Sequence, residues 1–123
     1  MIYNKWTIEF YTALNNSSPI YNYIKTLPTR EKAKIIGDID LLKDYGVFLG
    51  LNKLRKINGR RYKGLWELRI KHSTNYYRVL YFLYCKRTFI LLHCFLKKSN
   101  RTDIRHLELA KKRMIDYINR HRR

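Results

Sequence analysis

Acidic side chains are scarce in this chain. Its 123 residues hold nine Asp and Glu against 27 Lys and Arg, a formal net charge of +18 at pH 7. That imbalance points to a polyanionic partner: nucleic acid, a ribosome or an acidic protein. A basic protein with no such partner is the competing reading. Cysteine is nearly absent as well. Cys85 and Cys94 are the only two, and they read as free thiols in a reducing compartment. No paired Cys or His spacing suggests a metal site, so neither metal nor cofactor is expected. Long apolar runs are missing too. The longest, Val79 to Cys85 and Phe89 to Leu96, fall far short of the roughly 20 residues of a membrane span. The opening MIYNKWTIEFY is broken by Glu9 and by polar alternation, which argues against a signal peptide. A cytoplasmic location follows as the expectation. With 46% apolar residues, the chain has enough hydrophobic content to fold, and it reads as one domain over residues 1–123.

The two prolines mark helix starts. Residues 2–11 alternate loosely and predict a first strand. After the break at Asn15 to Ser18, Ser18-Pro19 supplies an N-cap and a proline at the first helical position. Ile20, Tyr23, Ile24 and Leu27 follow at helical spacing. Pro28 starts a second helix over Thr29 to Tyr45. Its stripe runs through Ala33, Ile36, Ile39 or Asp40, and Leu42 or Lys43, widened by Ile35 and Leu41. Gly46 is placed to cap it. The two helices predict a hairpin over one sheet face. Lys53 to Ile57 reads as a short strand, and Asn58-Gly59 as a turn. Thr102, followed by Asp103, is placed to cap a last helix with the stripe Leu107, Ala110, Met114, Tyr117 and Ile118. The basic tail beyond it reads as a solvated end that can add non-specific phosphate contacts. The fold class is α+β, with an antiparallel meander.

The segment GLWELRIKHSTNYYRVLYFLYCKRTFILLHCFLKK, from Gly64 to Lys98, carries the most information. Period-two alternation predicts three strands. With Lys86-Arg87 as a two-residue turn, Cys85 pairs with Thr88, Leu80 with His93, and Arg78 with Phe95. With His72 to Asn75 as the preceding loop, Lys71 pairs with Tyr76, Arg69 with Arg78, and Glu67 with Leu80. One face then holds Trp66, Leu68, Ile70, Tyr77, Val79, Tyr81, Leu83, Ile90, Leu92 and Cys94, and needs a core. The other holds Glu67, Arg69, Arg78, His93 and Lys97 beside Leu80, Phe82 and Phe95. Like charges placed opposite each other cost stability, so a clustered-cation face argues for a bound anion.

KGLWELRI, YYRVLYF, LLHCFLKKSNRT and ELAKKRMIDYI, in that order and spacing, resemble the phage-derived Gp49-like branch of HigB toxins. These lie within the RelE/ParE superfamily of type II toxin–antitoxin systems. The resemblance covers nearly the whole chain. It implies a RelE-like fold, with an N-terminal strand and helical hairpin packed on an antiparallel sheet and a C-terminal helix. It also implies a ribosome-dependent, metal-independent mRNA endonuclease held inactive by a cognate helix-turn-helix antitoxin of the HigA kind. Arg69 and Arg78 stand where the family keeps basic residues on the sheet. Lys97 and Lys98 stand at its FxKK motif.

Cleavage of this kind uses the neighbouring 2′-hydroxyl as nucleophile. It needs cations on the phosphorane, a base and an acid. Arg69, Arg78, Lys97 and Lys98 can clamp phosphate, an arginine engaging two oxygens at once. For proton transfer the choice stays open. His93 has a suitable intrinsic pKa, yet a half-buried structural histidine reads equally well. Glu67 is a possible base but reads better as an ion-pair support for the arginines. Lys97 would serve if neighbouring cations depressed its pKa. Related toxins use a Tyr or His near the C-terminus, which leaves His106 and Tyr117, and Tyr117 reads as core. Further RNA contacts are assigned to Lys53, Arg55, Lys71, Tyr76 and Arg101. Stacking of bases on Tyr62, Tyr76 or Tyr77 ranks behind their packing in the sheet. Two other functions stay in play: a ParE-like non-enzymatic gyrase poison, and a non-catalytic nucleic-acid-binding module.

Overall fold

The computed structural model describes residues 6–98 and 103–122. Strand β1 (Thr7–Phe10) leads to helices α1 (Pro19–Lys25) and α2 (Thr29–Tyr45). Strands β2 (Leu54–Lys56), β3 (Trp66–His72), β4 (Asn75–Tyr84) and β5 (Thr88–Lys97) follow, and helix α3 (Ile104–His121) closes the chain. The sheet order is β1-β5-β4-β3-β2. Among the described residues no helix is long and apolar enough to cross a membrane.

Both early helices begin where the prolines stand. The Ser18 side chain accepts from the Tyr21 amide at 3.3 Å, and Pro19 takes the first helical position, where its missing N–H costs nothing. Helix α2 ends at Gly46, whose φ of 56° and ψ of −134° suit glycine. Its Cα lies so close under the Trp6 ring that a Cβ there would collide with the ring. The final helix is capped by Asp103, whose carboxylate accepts from the Arg105 amide at 2.9 Å. The expected cap, Thr102, lies outside the described residues, as do residues 2–5 of the expected first strand.

The β3–β4 register matches the alternation argument throughout: Lys71 faces Tyr76, Arg69 faces Arg78, and Glu67 faces Leu80. Arg78–Phe95 and Leu80–His93 hold on the other side of β4. Beyond them the register shifts. Tyr81 pairs with Leu91 and Tyr84 with Thr88, so Leu92 is skipped. The turn is therefore Cys85-Lys86-Arg87, with positive φ at Cys85 and Lys86 (54° and 69°). A one-residue shift flips the faces. Ile90 and Leu92, expected beside Tyr81, pack on the opposite face, and Phe89 and Leu91 take their place.

A second correction concerns direction. Strand β1 pairs with β5 in parallel, so the sheet is mixed, not a purely antiparallel meander. Alternation within one strand carries no information on the direction of its neighbour.

Each sheet face has its own core. Helices α1 and α2 cover one, through Ile20, Ile24, Ile35, Ile39 and Leu42 packed against Leu68, Tyr77, Val79 and Leu91. Helix α3 covers part of the other, setting Ala110, Met114 and Tyr117 against Leu80, Phe82, Ile90 and Phe95. The buried stripe of α2 is Ile35, Asp38, Ile39 and Leu42, while Ile36 and Leu41 stay about two-fifths exposed (40% and 38%). A carboxylate at an apolar position needs a counter-charge. Asp38 obtains two, from Lys34 at 3.2 Å and Lys53 at 2.5 Å.

Replacing Gly46 with Ala forces an unfavourable backbone angle and a clash with Trp6. We expect a loss of roughly 2–4 kcal/mol, read as a lower urea midpoint with an unchanged m-value.

Candidate functional site: a cation cluster on the sheet

Helix α3 leaves part of its sheet face uncovered, and the cations collect there. Arg55 on β2 stands opposite Glu67 on β3. Arg69 on β3 stands opposite Arg78 on β4. Tyr76 on β4 stands opposite both Lys71 and Lys97. Alternation sends all of these to one face. Lys71 and Tyr76 are exposed at its outer end, where the Lys71 ammonium lies 5.5 Å from the Tyr76 ring centroid. Asn52, Lys53, Arg69, Lys71, Tyr76 and Arg78 border a shallow concavity beside the cluster.

Arg78 is the centre of the cluster, and it is buried, with 5% of its surface exposed. Glu67, 4% exposed, is its counter-charge, with Nε and Oε1 3.4 Å apart. Neither of these two atoms has a hydrogen-bond partner among the described residues. One guanidinium N–H donates to the Tyr77 carbonyl at 3.1 Å. Burial, then the Arg69 and Arg55 charges, pulls Arg78 below the usual arginine range, while Glu67 opposes them. Lys97 responds in the same way. Burial lowers its pKa first, then Arg78, Arg69 and Arg55 lower it further, again against Glu67. One carboxylate thus faces four cations, Arg55, Arg69, Arg78 and Lys97. Such a surplus can accept a phosphate with little rearrangement.

Burial changes one expectation. Alternation puts Arg78 on the cation face and not on the face that needs a core. The structure instead makes it half of a buried ion pair.

The remaining candidates fall into separate places. Lys98 is exposed just past β5 and borders a cleft with Phe95, Lys97, Arg105 and His106. His93 lies on the same face as Arg78 but under α3. There its Nε2 is 2.8 Å from Nδ1 of His106. Phe95 stacks on both imidazoles, its centroid 5.4 Å from His93 and 3.8 Å from His106. Burial, then His106 and Arg113, lowers the His93 pKa to about 4. His93 is therefore neutral near pH 7. Lys53 has its ammonium on Asp38, pointing to α2. The sequence signal for this was Asp38 itself, spaced three residues after Ile35 and four before Leu42, at a stripe position that demands a cation. Arg101 lies outside the described residues. Tyr62 and Tyr77 donate their hydroxyls to Glu108 and Glu31, respectively, and both side chains are buried, which fits packing and not stacking on bases. Tyr117 is buried against Phe82 and Tyr84.

The largely apolar cavity lined by Leu54, Trp66, Tyr81, Leu83 and Phe89, about 220 Å³, opens on the opposite face and contains none of these groups.

Residues 22–115 match the model of the phage-derived Gp49-like proteins (DUF891). The chain belongs to this Gp49-like family. The family is part of the RelE-like type II toxin group. No curated protein matches the chain. The Gp49-like span contains the whole cation cluster, both histidines of the β5–α3 contact and the Asp38–Lys53 pair.

Two substitutions separate support from surface. Arg78→Ala leaves Glu67 as a buried unpaired charge and should cost about 3–5 kcal/mol. Arg69→Ala, at a partly buried position with no ion pair of its own among the described residues, should cost under about 1 kcal/mol. Thermal or urea unfolding of the two variants checks the difference.

Proposed function

We propose that this Gp49-like protein is the toxin of a type II toxin–antitoxin pair, of the HigB kind, and that it cuts mRNA on the ribosome. The observation that carries this reading is the surplus of cations around the buried Glu67, at the edge of a shallow concavity on the sheet. Arg69, Arg78 and Lys97 offer several positive groups to one small anion, with the charge of Arg55 beside them. The phosphorane of an RNA chain attacked by its own 2′-hydroxyl is such an anion, and its formation requires no metal. Arg69 and Lys97 contact the phosphate oxygens, while Arg78, held by Glu67, supplies fixed charge beneath them. Lys98, Lys71, Arg55 and the exposed Tyr76 hold the flanking strand. Lys53 is left out of this set because Asp38 already holds its ammonium.

The site is shallow. A shallow site neither orders a flexible RNA nor excludes water, and both tasks fall to the ribosome. The cytoplasm is then where the protein acts. Its partner in the resting cell is a helix-turn-helix antitoxin of the HigA kind, and a net charge of +18 favours an acidic contact surface on that partner.

The test uses purified protein with programmed, translating ribosomes and with the same mRNA free in solution. Cleavage should be rapid on ribosomes and hardly detectable on free RNA. Arg69→Ala should lower the rate by about 10²–10³-fold with the fold intact. Equal cleavage of free RNA would contradict the ribosome requirement. Growth arrest with intact mRNA would move the reading to a gyrase poison.

A further inference from the structure

The contact between β5 and α3 contains more chemistry than packing requires. Two imidazoles meet there nitrogen to nitrogen, His93 Nε2 and His106 Nδ1, at 2.8 Å. Their rings are tilted by 31°, with centroids 4.9 Å apart. Phe95 fixes the outer ring by near-parallel stacking, with 9° between the ring planes. Phe95 is also the strand partner of Arg78. The outer imidazole therefore sits one side chain away from the buried arginine. It borders the same cleft as Lys97 and Lys98.

Hydrogen bonding between the rings couples their tautomers. One nitrogen of the contact must donate and the other accept. If His106 Nδ1–H donates to His93 Nε2, the remaining His106 nitrogen, Nε2, carries a free lone pair. A proton taken up there produces an imidazolium whose Nδ1–H still has an acceptor. His93, less accessible and hard to protonate, stays neutral and serves as that acceptor.

Resting on the RNA-cleavage reading above, we propose that His106 is the general base of the reaction and that His93 is its positioning residue. In the step itself, His106 Nε2 takes the proton of the ribose 2′-hydroxyl as that oxygen forms a bond to phosphorus. The bond from phosphorus to the 5′ oxygen breaks, and the departing oxygen takes a proton from solvent. The positive charge left on His106 is shared through its hydrogen bond with His93. Both imidazoles are partly buried, but His106 lines the cleft beside Lys97 and Lys98 and His93 does not. The charged groups around the pair are Arg113 beside His93, Asp103 and Arg105 beside His106, and Lys97 and Lys98 along the cleft. Asp103 favours protonation of His106, while burial and Arg105 oppose it.

The experiment measures cleavage on translating ribosomes between pH 5.5 and 8.5, with nitrogen-15 NMR of the imidazoles in the full chain. At pH 7 the spectrum should show His106 protonated on Nδ1 and bare on Nε2. The wild-type rate should fall on the acid side, as His106 takes up its proton. His106→Ala should lose about 10²–10⁴-fold in rate, with partial rescue by added imidazole in proportion to its free-base form. His93→Phe keeps a ring for Phe95 but removes the acceptor. Its acid limb should move to lower pH and its plateau should drop. A folded His106→Ala variant within threefold of wild type would overturn the proposal while leaving RNA cleavage standing. So would an Nε2-protonated His106 in the resting protein. Absence of cleavage by the wild type would instead overturn the underlying reading, and the catalytic role with it.

Discussion

The buried pair of Arg78 and Glu67 is the interaction on which the rest depends. Taking a guanidinium out of water is unfavourable unless a carboxylate compensates it. Here Glu67 compensates one cation while three others, Arg55, Arg69 and Lys97, press on the same spot. A sheet built for stability alone would not gather them, because like charges on facing strands repel. The pair holds its place because strands β3 and β4 register Arg69 against Arg78 and Glu67 against Leu80, and because apolar layers grip both faces of those strands.

Those layers divide the work. Helices α1 and α2 cover one face completely enough to bury Leu68, Ile70, Tyr77 and Val79. Helix α3 covers the other only as far as Phe95. The limit of α3 therefore decides which side chains are core and which meet solvent. Phe82 and Leu92 lie beneath it, His93 and Phe95 mark its margin, and Lys71 and Tyr76 lie beyond. The margin is also where the imidazole pair sits. Buried support, surface cations and the proposed base thus form one continuous patch from β3 to α3.

The strand alternation made this patch legible in large part. It gave the β3–β4 register and the shared face of Glu67, Arg69, Arg78, His93 and Lys97. It failed where a single residue is added. The turn through Cys85 and Lys86 uses positive φ without glycine or asparagine, so no turn signal announced three residues in place of two, and Ile90 and Leu92 were assigned the wrong face. The parallel pairing of β1 was hidden because a strand pattern does not encode direction. Burial of Arg78 was hidden because the charge cluster, taken alone, implied an open surface. The task of Lys53 was readable in principle, since Asp38 interrupts an otherwise apolar stripe. The His93–His106 contact joins two elements, and no local pattern could report it.

The claim that this cation patch exists for an RNA phosphate attacked by its own ribose is tested most directly by the chemistry of the cut ends. Fragments from ribosome-bound mRNA treated with the protein should carry a 5′-hydroxyl on one side. The other side should carry a 2′,3′-cyclic phosphate or its 3′-phosphate product. Fragments with a 5′-phosphate and a 3′-hydroxyl would mean that water, not the ribose, attacks, and would contradict the account.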